Sequence, residues 1–187
     1  MDSVPHHPVY TRTAVALHWF VALLIAANLT LGTTMTDLHM SPRKLRLYSY
    51  HKWIGITVLG LVLIRLVWRL THPVPPDEPM PRWQRLAAHG THWALYGLMI
   101  VTPIFGWLYS SASGYPVVYL KLWQLPDLVH KNADLAKVLV VVHATLAWTL
   151  FGFVMLHLAA ALKHHFYDRD ATLRRMLAWQ RHRGVTP

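Results

Sequence analysis

Hydrophobic residues along this chain gather into four long blocks, at 13–34, 50–70, 91–109 and 137–162, separated by basic, proline-containing or mixed connections. Each block is close to the ~20 residues that an α-helix needs to cross the hydrocarbon core of a bilayer. The pattern predicts an all-α integral membrane protein, a four-helix bundle forming one domain over residues 1–187. The second block is the least clean, because Lys52 and Arg65 flank its apolar core. Long cationic side chains near a helix end reach back to the interface, so both are tolerated there. The first block is too long for a cleaved leader and lacks a clear small-residue cleavage site, so it is expected to stay as an anchor.

The connections differ in character. HPVPPDEPMPRW, between the second and third blocks, is proline-rich and predicts a short semi-rigid spacer. SASGYPVVYLKLWQLPDLVHKN, before the fourth, mixes Tyr119, Trp123 and Leu125 with turn residues, which suits an ordered loop at the membrane interface. The tail, 163–187, sets Leu173, Met176 and Leu177 among arginines and predicts an interfacial amphipathic helix.

Charge orients the bundle. Of eighteen Lys and Arg, eleven fall on the side shared by the two termini and the proline-rich connection, and seven on the other. The positive-inside rule then places both termini in the cytoplasm. The formal net charge of +10 leaves the outer surface basic as well, through Arg43, Lys44, Arg46, Lys52, Lys121 and Lys131. Such a surface either steers an anion or contacts lipid phosphate. With 54% apolar residues and no cysteine, the composition fits a membrane protein and excludes disulfides, thiolate-ligated haem and iron–sulfur clusters carried by this chain.

Histidine carries the chemistry. There are fourteen, and six of them, His6, His7, His39, His72, His130 and His182, fall in connections or ends where solvated side chains are expected. Four others are placed at two depths. His143 and His157 are fourteen residues apart on the fourth helix, which puts them on one face, about 40° apart in azimuth and ~21 Å apart along the axis. His18 enters the first helix at the inner level and His51 the second at the outer level, so the levels pair His18 with His157 and His51 with His143. Two imidazoles clamping a planar haem at each level explain the set; the competing reading has each histidine hydrogen-bonding a neighbouring helix. Tetrahedral zinc would call for three or four ligands converging at one level, where this chain supplies two.

Other positions follow the same faces. Gly32, fourteen after His18, leaves room beside a macrocycle at the upper level. Arg65, fourteen after His51, is either an interior partner for a haem propionate or quinone oxygen, or a side chain reaching the interface. His164 lies seven after His157 at the inner edge, and His89 and His92 open the third helix where a propionate or quinone would lie.

ALHW around His18, YHKWIG around His51, RLVWR, HGTHWALY, ASGYPV, His143 and LHLAAALKHHFYDRDATLRRML together resemble the prokaryotic cytochrome b561 family over nearly the whole chain. The resemblance implies a four-helix bundle in the bacterial inner membrane holding two b-type haems, with His18, His51, His143 and His157 as axial ligands; Arg65, His92 and His164 are expected near the cofactors from their positions along the helices. It implies electron transfer across the membrane with a quinone, such as ubiquinone, as partner. Some members resemble a superoxide oxidase; others are haem-bearing, quinone-linking subunits of dehydrogenases or hydrogenases. The partners expected are membrane lipid, a quinone, and superoxide or a redox protein, with no nucleic acid.

Overall fold

A computed structural model describes residues 10–177. Four helices dominate: α1 (Arg12–Thr36), α2 (Pro42–Thr71), α3 (Arg82–Ala112) and α4 (Ala133–Lys163). All four are long and apolar enough to cross a membrane. α1, α2 and α4 run beyond their apolar blocks because polar residues cap them, whereas α3 starts after Pro81 with no side-chain cap. The Thr11 side chain accepts from the Ala14 backbone N–H, Ser41 from Lys44 with Pro42 in the first turn, and Asn132 from Asp134 and Leu135. Hydropathy marks the stretch that fits lipid, whereas the caps mark where the backbone starts to coil.

α1 packs on α2, α2 on α3 and α3 on α4, leaving α4 and α1 without substantial backbone contact. The buried core is a band formed by Val21 and Ile25, Val58 and Val62, Leu95, Tyr96 and Met99, and Leu150. In every helix this band lies between the two histidine levels, so an apolar septum separates them. Leu23, Ile64, Val67, Val141 and Trp148 are exposed on the flanks of the bundle, as expected of side chains that face lipid.

The connection between α3 and α4 is ordered, as its aromatic residues suggest. A small antiparallel hairpin, β1 (Val118–Tyr119) with β2 (Trp123–Gln124), is held on α2 by three bonds. Lys52 Nζ donates to the Tyr115 carbonyl at 2.9 Å, Trp53 Nε1 to the Val118 carbonyl at 2.6 Å, and the Thr57 and Tyr119 hydroxyls pair at 2.8 Å. Lys52 is therefore spoken for by the loop. This defines a hairpin end of the bundle.

At the opposite, terminal end the described part of the tail opens with a turn before it reaches the residues whose pattern predicts an amphipathic helix. A π-helical turn (His164–Asp168) follows α4, Arg169 takes a left-handed conformation at φ 55°, and α5 (Arg174–Leu177) runs to the last described residue. Local bonds win over helical propensity here. Asp170 accepts from the Thr172 backbone N–H at 2.8 Å and from His164 Nδ1 at 2.7 Å, an arrangement that a continuing helix would break. The remainder of the tail, including His182, and the first nine residues, including His6 and His7, lie outside the described residues.

Candidate functional site

The helices bring the four singled-out histidines together in two pairs. At the terminal end His18 on α1 and His157 on α4 have ring centroids 6.2 Å apart, across the seam where α1 and α4 do not pack. At the hairpin end His51 on α2 and His143 on α4 are 6.0 Å apart. A metal–imidazole bond of about 2.0 Å, with a further ~1.1 Å from nitrogen to ring centre, would place two imidazoles on opposite sides of one metal with centroids roughly 6.2 Å apart. Both pairs meet that spacing.

The hairpin-end rings are further constrained. His51 Nδ1 lies 3.2 Å from the Asn28 carbonyl oxygen on α1, and His143 Nδ1 lies 3.0 Å from the Thr102 carbonyl oxygen on α3. A carbonyl only accepts, so each Nδ1 carries the proton and each Nε2 is left with its lone pair free. This is the tautomer of a metal-bound imidazole whose other nitrogen is anchored by a backbone carbonyl. At the terminal end His18 Nδ1 is buried with no hydrogen-bond partner among the described residues. An orphaned imidazole nitrogen at membrane depth is costly unless a bound group engages the ring.

Glycine makes the carbonyl bonds possible. Gly32 is four residues after Asn28 and Gly106 four after Thr102. The Cβ of a helical residue leans back over the preceding turn, so a side chain at either position would crowd the carbonyl that the imidazole reaches. A Cβ on Gly106 would sit 2.9 Å from His143 Cε1, and one on Gly32 3.4 Å from His51 Cε1. The space at Gly32 thus admits the ring of His51, rather than simply the flank of a macrocycle.

The remaining candidates divide. His92 packs at 5.3 Å from His157, and the Arg65 guanidinium lies 5.5 Å from the centre of the buried Tyr96 ring. Arg65 is itself half-buried there, which favours the interior position over the interfacial one. His164 joins neither pair; its Nδ1 bonds Asp170 at 2.7 Å and lies 3.0 Å from Asp168. His89 turns to Asp77 at 3.0 Å, and His72 stacks on Trp68 at 3.8 Å. His39 and His130 are exposed.

A family model described as prokaryotic cytochrome b561 matches residues 9–179. The chain belongs to that family. It is similar to cytochrome b561 homolog 2 of Escherichia coli K12, at 34% identity over 90% of this chain and 90% of the relative. It is also similar to a protein named probable superoxide oxidase CybB of Yersinia pestis, at 32% over 94% and 99%, and to cytochrome b562 of Cereibacter sphaeroides, at 28% over 91% and 96%. Family membership makes this chain a b-type haem cytochrome that transfers electrons in a membrane.

What the pattern of this cytochrome b561 did not reveal was the second layer around the histidines. The Asn28 and Thr102 carbonyls carry no side-chain signal, and Gly106 lies outside the motifs around the histidines. Its signal was nonetheless present. Gly106 lies fourteen residues after His92, as Gly32 lies after His18.

Proposed function

We propose that this cytochrome holds two b-type haems, one between His18 and His157 and one between His51 and His143, and passes electrons between the two membrane faces with a quinone as one partner. The observation that carries the reading is the pair of imidazole couples, 6.2 Å and 6.0 Å between centroids, at opposite ends of one bundle. Bound there, each haem supplies one-electron redox chemistry.

The chain supplies the rest. Held between His18 and His157, or between His51 and His143, a haem would have no open position on its iron, which would suit electron transfer rather than oxygen activation. The septum of Val21, Val58, Val62 and Leu150 excludes water between the levels. Arg65 and His92 offer donors for a propionate or a quinone oxygen at the terminal end. The membrane is the bacterial inner membrane, with the terminal end cytoplasmic as the basic residues indicate.

Superoxide as the donor at the hairpin end is the sharper form of this reading. It is supported by the basic residues of that end and by the name of the Yersinia relative. The purified protein tests both. Two low-spin haems per chain and reduction by superoxide in the absence of any other protein are expected; activity only in a complex with a co-purifying dehydrogenase or hydrogenase would instead make the chain a quinone-linking subunit.

A further inference from the structure

The two imidazole couples are not equivalent. Both rings of the hairpin-end couple donate a hydrogen bond from Nδ1 to a helix carbonyl, at 3.2 Å and 3.0 Å. At the terminal end, neither His18 nor His157 makes a ring hydrogen bond among the described residues, and the Arg65 cation is half-buried over Tyr96 at that end. The carbonyl bonds and Arg65 act in one direction, and Lys52, whose charge reaches His51 while its ammonium is bonded to the Tyr115 carbonyl, acts against them. Donating Nδ1–H to a carbonyl shifts electron density to Nε2 and makes the imidazole a stronger donor, which stabilises ferric iron and lowers a reduction potential. A nearby guanidinium disfavours the more positive ferric state and raises it.

Resting on the haem assignment above, we propose that Gly106 and Gly32 are positioning residues that seat His143 and His51 on the Thr102 and Asn28 carbonyls, and that this makes the hairpin-end haem the lower in potential of the two. An electron arriving at the hairpin end then moves to the terminal end. The step is a single-electron transfer in which hairpin-end iron is oxidised from ferrous to ferric and terminal-end iron is reduced from ferric to ferrous. No bond forms or breaks and no proton moves. The direction of flow is thereby set by backbone carbonyls and two missing side chains, not by the ligand type, which is the same at both levels.

The glycines make the proposal testable without touching a ligand. A Cβ at position 106 would lie 2.9 Å from His143 Cε1, inside the ~3.5 Å of a comfortable carbon contact, so the ring must move off its carbonyl. At position 32 the corresponding distance, 3.4 Å, is at the edge of ordinary contact and shifts His51 by no more than a few tenths of an ångström.

The experiment is a spectroelectrochemical titration of the full chain in detergent or nanodiscs, with the haem-to-protein ratio measured on the same samples. The unaltered protein should show two one-electron waves whose equilibrium constants differ by at least about tenfold, or 59 mV. Gly106→Ala should keep two haems and move the lower wave up, leaving the upper wave in place; Gly32→Ala should move the same wave by less. Arg65→Gln should lower the upper wave alone. If Gly106→Ala loses a haem, Gly32→Ala decides. A lower wave that ignores the decisive glycine variant, or an upper wave that responds to it, overturns the inference while leaving the two-haem reading intact. A ratio below two in the unaltered protein overturns the haem assignment itself, and the inference with it.

Discussion

His51 and His143 face each other at 6.0 Å from helices that do not pack directly, and each is anchored to a carbonyl of yet another helix, Asn28 on α1 or Thr102 on α3. One couple thus draws on all four helices. A bundle whose halves slipped along each other would lose both the ring spacing and the carbonyl bonds, so the site and the packing register specify one another.

The hairpin should depend on α2. Trp53→Phe keeps the aromatic body but removes the Nε1–H that bonds the Val118 carbonyl at 2.6 Å. Losing that bond should cost about 1 kcal/mol, read as roughly fivefold faster hydrogen exchange in residues 117–125 with unchanged exchange in α4.

The tail bracket should be acid-sensitive. Burial opposes the ionisation of Asp170, but bonds from Thr172 and His164 outweigh it and hold the carboxyl below its ordinary range. A folded-state value lowered in this way contributes stability at neutral pH that fades as the pH falls through it. Tryptic cleavage at Arg174 and Arg175 should therefore be slow near pH 7 and severalfold faster in Asp170→Asn at the same pH. Equal rates in the two proteins would show that the bracket does not hold the tail.

Steering should be visible at the hairpin end. Arg43 and Arg46 are exposed, whereas Lys44 Nζ is tied to the Leu38 carbonyl at 2.6 Å, so the two arginines are the sites to reverse. Arg43→Glu with Arg46→Glu should slow reduction of the protein by superoxide roughly tenfold, and added salt should slow the unaltered protein, since screening acts over about 10 Å at 0.1 M. Haem content should not change. A rate indifferent to both would point to a neutral quinol or a docked protein as donor.

The number of helices and the two histidine levels were legible because membrane burial and fourteen-residue spacing leave direct marks on a sequence. His143 and His157 need only helical periodicity to be placed. The tail was not legible in the same way. Its apolar spacing suits a helix, yet Asp170 offers the backbone and His164 a competing set of bonds that only tertiary position reveals. His164, which spacing from His157 places toward the cofactors, is bonded to Asp170 through Nδ1. The carbonyl anchors were hidden for another reason: backbone acceptors have no residue identity, and only the glycines four positions later record them.

The central claim is that two independent imidazole couples sit at two depths, and single-ligand variants test it most directly. His143→Ala and His157→Ala should each lower the haem-to-protein ratio from two to about one, with complementary halves of the α-band spectrum retained, and His92→Ala should leave two haems bound. Loss of both haems in a folded single variant, or loss of one in His92→Ala, would contradict the pairing.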